Sequence, residues 1–329
     1  MGIKMKNFVH CRCLGIGIFC FLVVALSMPA HAKDSLLVIR AHGRDYEQTT
    51  AGLTNELEED ISVTEFVIGK KTTKGDIARK MRDVSPRIVV LMDNSAIILY
   101  RKYQKELPAS APVIPSVSLM AAFTELVIRG MKNAAGISYE VPIVTSIVNL
   151  RAILDMPTDK VGIVHREFFR EFVSRNAAYC ANENIDLVSY AIPDKGRIKS
   201  NLNKGLKFLK KNGVGAIWVP NDSNIVNNRL LGSVWIPFTR KYKKPVIVGV
   251  EILVNPKLDF GTFAVIPDNI SLGIQAAEMI LDAMDNNWQV ETGMVASPRS
   301  VYKIINFRQA GHQFNISEEN LQDVDKVLK

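Results

Sequence analysis

Polar and charged side chains follow the first apolar segment of this chain, where they could bind a small molecule. His42 and Arg44 come after Leu36–Arg40, and Gly43 between them allows a tight turn. The imidazole and the guanidinium could hold an anion together. Arg44 could equally be a surface charge, with Asp45 capping the helix that follows. The segment is therefore a candidate anion site.

Two further groups of polar residues follow later apolar segments of the first half. Asp93 and Asn94 come after Ile88–Met92, and they could either hydrogen-bond a ligand or cap the next helix. Ser116 and Ser118 are predicted to follow the fourth strand, where hydroxyls and free backbone N–H groups could hold a carboxylate. These four residues are candidate ligand contacts.

The second half repeats this arrangement. Arg166 and Glu167 follow the apolar segment Val161–Val164, as a ligand-facing loop would. Phe168 and Phe169 come next; one of them could stack on a ligand, although core packing is the simpler interpretation. The loop is a candidate for the second wall of a binding site.

Two more strand ends in the second half carry polar side chains. Asn221 and Asp222 follow Ile217–Pro220, and Asp222 could either hold an ammonium group or cap a helix. Glu251 ends the eighth apolar segment, where a carboxylate often faces a cleft. Both acids are candidate ligand contacts.

Tyr139 and Glu140 lie in the stretch that joins the two halves. Contact with a ligand and contact between the halves are both open to them. An amino acid would need a cradle for its carboxylate and an acid for its ammonium group, and the candidate set contains both kinds.

The sequence carries no recognisable catalytic motif. It contains neither a His-Glu-x-x-His zinc motif nor a Gly-x-Ser-x-Gly elbow. His42 and His165 occupy equivalent strand ends, but no cysteines or spaced carboxylates accompany them, so no metal site is predicted. We expect neither an enzyme nor a cofactor.

Short, continuously apolar segments alternate with amphipathic ones along the chain. Continuous apolar runs are typical of strands buried on both faces, as in a parallel sheet covered by helices. The sequence therefore predicts an α/β protein with doubly wound, Rossmann-like sheets. The predicted strands are Leu36–Arg40, Val63–Ile68, Ile88–Met92, Val113–Val117, Val161–Val164, Leu187–Ile192, Ala216–Val219, Val246–Val250 and Phe263–Ile266.

The alternating pattern occurs twice, with a joint near Gly136–Pro142, which predicts two lobes with a hinge and a cleft between them. The first lobe is expected to contain residues 33–142 and about 268–306, with Val301–Asn306 as an added strand. The second is expected to contain residues 143–267, and residues 307–329 a C-terminal helix that includes Glu318–Leu328. Ligands of such sheets bind beyond the carboxyl ends of the strands.

The first 32 residues have the features of an export signal. Lys4, Lys6 and Arg12 make the start basic, Leu14–Met28 is apolar, and the small residues before position 33 predict cleavage after Ala32. An uncleaved membrane anchor is the alternative. The predicted location is the periplasm.

Charge and cysteine content exclude several classes of protein. The net charge is +8, and no run of five or six like charges occurs, so no nucleic acid partner is predicted. Cys180 is the one cysteine after the predicted cleavage point, so the predicted mature chain has no internal disulfide.

Several segments resemble one known family. The resemblance is to the periplasmic substrate-binding proteins of ABC transporters, in particular the group with tryptophan and tyrosine binders. It implies a type I periplasmic-binding fold, three hinge crossings and a ligand held between the lobes. The loops at 115–118 and 261–264 depart from the family pattern, which leaves the ligand open. The matching residues are Asn133–Ser138, Leu154–Val164 with Pro157, Gly215–Asp222, Gly273, Ala276, Ala277, Ile305, Asn306 and Ala310.

The resemblance leaves two partners open. An exported binding protein would deliver a small molecule, such as an amino acid or a related compound, to an ABC permease. The same fold could instead report ligand binding to a membrane signalling protein. An α/β enzyme is a third reading, against which the missing motifs count. A monomer suits a clamp that opens and closes.

Overall fold

The structure is a computed structural model that describes residues 33–154, 158–314, 316 and 318–329. The predicted export signal and Pro157 of the family-like motif lie outside the described residues. Among the described residues, no helix is long and apolar enough to cross a membrane.

The first lobe is built on a six-stranded sheet with the strand order β11-β5-β4-β3-β1-β2, in which every neighbouring pair is parallel. The strands are β1 (Asp34–Arg40), β2 (Ile61–Val67), β3 (Ile88–Met92), β4 (Ser116–Leu119), β5 (Ala134–Ile137) and β11 (Val295–Ala296). The helices are α1 (Arg44–Leu57), α2 (Lys74–Val84), α3 (Asn94–Gln104), α4 (Thr124–Ile128) and α10 (Asn269–Asp285).

Helices cover both faces of this sheet, which explains its continuous apolar strands. Along β1, Leu36 and Val38 pack in one cluster with residues of α1 and α10, whereas Leu37 and Ile39 pack in another with residues of α2 and α3. Alternate residues of a strand point to opposite faces, so a doubly covered strand must be apolar throughout.

The second lobe is built on a seven-stranded sheet with the strand order β13-β12-β10-β9-β8-β6-β7. Its strands are β6 (Lys160–Arg166), β7 (Asp186–Ile192), β8 (Ala216–Val219), β9 (Val246–Val248), β10 (Phe263–Pro267), β12 (Val301–Asn306) and β13 (Lys326–Leu328). Its helices are α5 (Ile143–Ile153), α6 (Arg170–Asn182), α7 (Ile198–Lys211), α8 (Asn228–Leu230), α9 (Ile236–Tyr242) and α11 (Phe307–Phe314).

Short helical turns complete the second lobe. A π-helical turn at Leu231–Trp235 joins α8 to α9. Single 3₁₀ turns lie at Glu167–Phe169, Glu251–Val254 and Glu318–Leu321. The first two follow β6 and β9, so they lie at the carboxyl ends of these strands, where a ligand would bind.

The two sheets confirm the predicted α/β architecture of two doubly wound lobes. The chain passes between the lobes at 138–142, at 267–269 and at 297–300. The last passage differs from the predicted course. Val301–Asn306 was predicted in the first lobe, but β12 pairs antiparallel with β10 of the second lobe. Burial is the physical reason, because Ile304 and Ile305 complete the apolar clusters on the two faces of that sheet.

The C-terminal region also differs from the prediction of one helix over 307–329. Helix α11 ends at Phe314, and Lys326–Leu328 forms β13, parallel to β12. The spacing of Leu321, Val324 and Leu328 is compatible with a helix. The open edge of β12 offers backbone hydrogen bonds that a surface helix would not use, and this tertiary pairing overrides the local pattern.

Candidate ligand cleft

The carboxyl ends of the strands in the two sheets face each other across a cleft. At one end of the cleft, Phe123 after β4 contacts Phe168 and Phe169 after β6, with ring centroids 5.0 and 4.7 Å apart. At the other end, a cavity of about 490 Å³ is lined by Arg44 at the start of α1 and by Glu251 after β9. Strand β3 lies between β4 and β1, and β8 lies between β6 and β9. The strand orders therefore place the carboxyl ends of β3 and β8 opposite each other, between the two ends of the cleft.

Tyr139, on the first passage between the lobes, lines the cavity of about 490 Å³. Burial raises the pKa of its phenol, and together with the nearby Asp45, Tyr46, Glu140 and Glu251 it brings the pKa to about 12. Asp45 belongs to the first lobe and Glu251 to the second. Tyr139 thus lies close to groups of both lobes, as a hinge residue facing a cleft would.

Asp93 forms the middle of the first wall, with one carboxylate oxygen used for capping. Its Oδ1 accepts hydrogen bonds from the N–H groups of Ser95 and Ala96, at 2.6 and 2.9 Å. Its Oδ2 accepts a long hydrogen bond of 3.4 Å from the Tyr46 hydroxyl. Asp93 therefore caps α3 through Oδ1, and its Oδ2 could accept a further hydrogen bond from a ligand.

Asn94 holds the neighbouring loop in place. Its Nδ2 donates to the Ala122 carbonyl at 2.9 Å, and its Oδ1 accepts from the Ala122 N–H at 2.8 Å. This pair of bonds fixes the loop after β4, which carries Phe123. In this conformation the amide of Asn94 serves the protein and not a ligand.

Ser116 and Ser118 do not lie where the sequence predicted. Both are fully buried within β4. Ser116 is the first residue of the strand and therefore lies at its amino end, away from the cleft. Their hydroxyl oxygens have no hydrogen-bond partner among the described residues. The strand was predicted at Val113–Val117 and ends two residues later, so the cleft loop starts at Met120.

The loop Met120–Phe123 is the part of the first wall that sequence reasoning missed. Met120 and Phe123 both have positive φ, of 56° and 58°. Such a backbone is normally signalled by glycine, and neither residue is one. No sequence signal could therefore have located this turn, although Phe123 is an aromatic residue close to a predicted strand end.

The basic residues of the first strand end are exposed. His42 and Arg44 both face solvent, and Arg44 lines the cavity of about 490 Å³. Lys326 lies in the same cavity and donates to Glu251 at 2.6 Å. Asp45 and Asp268 also line the cavity, so among the described residues the basic group of this end that is free to meet an anion is Arg44, of the first lobe.

A buried ion pair forms the middle of the second wall. Arg166 contacts Asp222 in a bidentate arrangement, Nε to Oδ2 at 2.6 Å and Nη2 to Oδ1 at 3.0 Å. The guanidinium carbon also lies 4.3 Å from the centre of the Phe168 ring. Asp222 is only 4 % exposed, so its charge requires this partner. In this conformation Asp222 holds Arg166, not an ammonium group.

Asn221 has an unused hydrogen-bond acceptor. Its Nδ2 donates to the Gly249 carbonyl at 3.3 Å, and its Oδ1 is buried without a partner among the described residues. It lines a largely apolar cavity of about 540 Å³ between the loops after β8 and β9. Asn221 is thus the second-wall residue with the clearest capacity to bind a donor.

The remaining candidates of the second lobe have structural partners. Glu167 is exposed and pairs with Arg170 at 2.7 Å. Phe169 is buried and stacks on Phe172, with centroids 4.4 Å apart, which favours the core-packing interpretation. His165 is buried, and this burial lowers the pKa of its imidazole.

The described part of the chain contains no group of three or more His, Cys, Asp or Glu side chains placed to hold a metal ion.

Glu140 lies next to Tyr139 and is buried, with 4 % of its surface exposed. The backbone N–H of Phe123 donates to both carboxylate oxygens of Glu140, with N–O distances of 3.1 Å to Oε1 and 3.2 Å to Oε2. Burial raises the pKa of this carboxyl to about 7. Glu140 therefore fixes the turn that presents Phe123 to the second lobe.

Comparison with known proteins supports the fold and leaves the family open. No family model matches the sequence, and no curated protein matches it. A substrate binding protein with adhesive properties from Clostridium difficile, in its ligand-free open form, is 13 % identical, with a TM-score of 0.63 over 91 % of this chain and 100 % of that one. An ABC domain in complex with L-Trp from Streptococcus pneumoniae is 16 % identical, with a TM-score of 0.52 over 90 % of this chain and 100 % of that one. The chain has the type I periplasmic binding protein fold.

Proposed function

We propose that this protein is an exported solute-binding protein that captures a small molecule between its two lobes. The observation that carries the proposal is the arrangement of the cleft. Residues at strand ends of both lobes line the cavity of about 490 Å³, and Tyr139 lies in the same cavity close to carboxylates of both lobes. A ligand that contacts both walls stabilises the closed form over the open one, which is how hinged binding proteins signal occupancy.

The polar groups of the cleft suit an amino acid or a related compound. Asp93 Oδ2 is an acceptor for an ammonium group, and Arg44, which lines the cavity at the other end of the cleft, could hold a carboxylate. The cavity beside Asn221 could take an apolar side chain. The Streptococcus pneumoniae domain is described in complex with L-Trp, which supports testing aromatic amino acids first.

The proposed partner is the permease of an ABC transporter, and the proposed location is the periplasm, reached by cleavage after Ala32. The binding protein acts as a monomer without catalysis. The basic and apolar residues of the first 32 positions support export, and the fold supports the role of carrier. Loss of substrate uptake on deletion of the gene, restored by the intact gene, would support the transport role.

The direct test is binding to the purified chain from Lys33 to Lys329. Thermal unfolding is measured with amino acids, nucleosides, sugars and small carboxylates. A ligand at a hundred times its dissociation constant adds about 2.7 kcal/mol of stability, or roughly 4 °C for a chain of this size. An amino acid that raises the melting temperature supports the proposal. No shift with any compound in the panel counts against it.

The site is tested with Asp93→Asn. Asparagine retains the cap of α3 because its Oδ1 can accept the same backbone bonds, while the charge that would meet an ammonium group is lost. We expect at least tenfold weaker binding of an amino acid by titration calorimetry, with little change in stability. Asp76→Asn is the matched control, since Asp76 also accepts a backbone N–H at a helix start, from Thr73 at 2.9 Å, outside the cleft. Equal affinities of the two variants would contradict the placement.

A further inference from the structure

A second cavity between the lobes lies beside the contact between Phe123 and Phe168, and it shares no lining residue with the cavity near Arg44. Its volume is about 310 Å³. The lining includes Leu126 of α4, Pro142 of the first passage, Phe172 and Tyr179 of α6, and Ser297 of the third passage. Its walls therefore come from both lobes and from two of the connections between them. The volume is at the lower end of the range for small-molecule sites.

Glu140 lines this cavity and has no charged partner. The carboxyl is 4 % exposed and takes part in no ion pair among the described residues. The other buried charges that could be compared with it are compensated, because Arg40 pairs with Glu65 and Asp222 pairs with Arg166. A buried carboxylate is costly unless a cation accompanies it. The side chain thus offers an unmatched negative charge to whatever enters the cavity.

The other charged groups of the lining leave it acidic. Glu125 and Glu171 line the cavity together with Arg175. Arg175 Nη1 donates to Glu125 Oε1 at 3.0 Å, which neutralises that pair. Glu171 pairs with Arg129 at 3.1 Å at the exposed rim. The charge left deep in the cavity is that of Glu140.

Aromatic rings supply the remaining chemistry. Phe123, Phe168, Phe172 and Tyr179 all line the cavity, and the face of an aromatic ring attracts a cation. A carboxylate beside several aromatic rings is a suitable environment for an ammonium group that carries apolar substituents. An inorganic cation would gain less from these rings, because it would have to lose its water.

We propose that this cavity is a second ligand site, which binds a small organic ammonium ion with its charge beside Glu140 and its apolar part against the aromatic rings. The site is separate from the cleft of the proposed function and does not depend on it. Because its walls come from both lobes, the bound cation stabilises the conformation in which Phe123 contacts Phe168.

The test uses benzylamine as the probe and benzyl alcohol, of similar size but uncharged, as its control. Titration calorimetry with the chain from Lys33 to Lys329 should detect binding of benzylamine and at least tenfold weaker binding of benzyl alcohol. At pH 7 the binding should release about half a proton, since burial raises the pKa of Glu140 to about 7 and the cation requires the ionised form. Titration in buffers of different ionisation enthalpy measures this release.

Two variants locate the site. Glu140→Gln keeps an acceptor for the Phe123 N–H and removes the charge, so we expect at least a tenfold loss of affinity for benzylamine and no proton release. Glu56→Gln, which removes a charge from an exposed position on α1, should bind as the unchanged protein does. If Glu140→Gln fails to fold, Tyr179→Arg serves instead, because Tyr179 is 49 % exposed and the new guanidinium would repel the probe.

Several outcomes would overturn the proposal. Equal binding of the two probes would mean an apolar cavity without selectivity for cations. Unchanged affinity in Glu140→Gln, or in Tyr179→Arg where the first variant does not fold, would place the probe elsewhere. No binding of benzylamine at millimolar concentration would exclude the site. Asp93→Asn separates the two proposals, since it should weaken a cleft ligand and leave benzylamine unaffected.

Discussion

At the scale of single residues, Glu140 links the stability of the protein to pH. Burial raises the pKa of this carboxyl from 4.5 to about 7, so between these values the folded chain holds a proton that the unfolded chain has lost. The stabilising effect is complete below pH 4.5 and is lost as the pH rises to about 7. The slope is about 1.4 kcal/mol for each pH unit in this interval.

The prediction concerns the difference between Glu140→Gln and the unchanged protein. Glutamine never ionises, so the variant should be the more stable of the two at pH 8, and the advantage should shrink as the pH falls towards 5. Urea unfolding at several pH values measures both proteins, and the contributions of other acids cancel in the difference. A difference that does not vary with pH would show that Glu140 does not titrate in this interval.

The pair of Arg166 and Asp222 gives a second prediction at this scale. Arg166→Ala leaves the carboxylate of Asp222 buried without its partner, so we expect a loss of about 3 kcal/mol or more in the free energy of unfolding. The double variant Arg166→Met, Asp222→Leu should recover much of this loss because no buried charge remains. Denaturant unfolding measures both. An equal loss in the single and double variants would mean that packing, and not charge, stabilises this wall.

At the scale of elements, the contact of α1 with α10 requires two glycines. A Cβ built on Gly273 would lie 2.1 Å from the Thr49 carbonyl oxygen, and one built on Gly52 would lie 2.3 Å from the Ile270 carbonyl oxygen. Each helix backbone thus lies directly against the other, and neither glycine can gain a methyl group without moving a helix.

Gly273→Ala should therefore destabilise the protein by about 2 kcal/mol or more, in spite of the better helix propensity of alanine. Gly232→Ala is the matched control, since no atom beyond its chain neighbours and its own helix backbone lies within 4 Å of its Cβ position, and it too lies in a helical segment. The control should be neutral or slightly stabilising. Thermal unfolding compares the two, and a loss in Gly232→Ala as large as that in Gly273→Ala would contradict the steric explanation.

The elements also show what the sequence can predict. Strands such as β1 and β3 were recognisable because a strand covered on both faces is apolar at every position. Strand β4 was misplaced because its sequence, Ser-Val-Ser-Leu, alternates and lacks that signal. The lobe of β12 was misassigned because apolar content does not specify the sheet in which a strand is buried. In the candidate site, the positions of polar residues at strand ends could be predicted from the sequence. The pairing of Arg166 with Asp222 could not, because it depends on β6 and β8 being neighbours in the sheet.

At the scale of the whole molecule, contacts at one end of the cleft hold the two lobes together. Phe123 contacts Phe168 and Phe169. The ion pairs Glu125–Arg175 and Arg129–Glu171 join α4 and the residue after it to α6. These contacts join separate lobes, so a wide opening of the cleft must break them. They therefore bias the hinge towards the closed form.

Phe123→Ala should shift this balance towards the open form. We expect a larger radius of gyration in solution scattering without ligand, and weaker binding of any ligand that needs both walls. Phe208→Ala is the control, because Phe208 is a partly exposed ring of the second lobe that contacts Tyr190 of the same lobe. A radius of gyration that does not change in Phe123→Ala would mean that the aromatic contact does not hold the hinge.

The three passages between the lobes have a consequence for how the chain reaches its native state. Helix α1 is buried against α10, more than two hundred residues further along, and β6 to β10 are completed by strands near the C-terminus. Neither lobe can therefore finish folding before the C-terminal part of the chain has been synthesised. The order of synthesis therefore does not set the order of assembly. Contacts between residues that are far apart in the sequence also slow folding. The apolar face of α1 stays uncovered until α10 is available, which leaves the chain prone to aggregation during this interval.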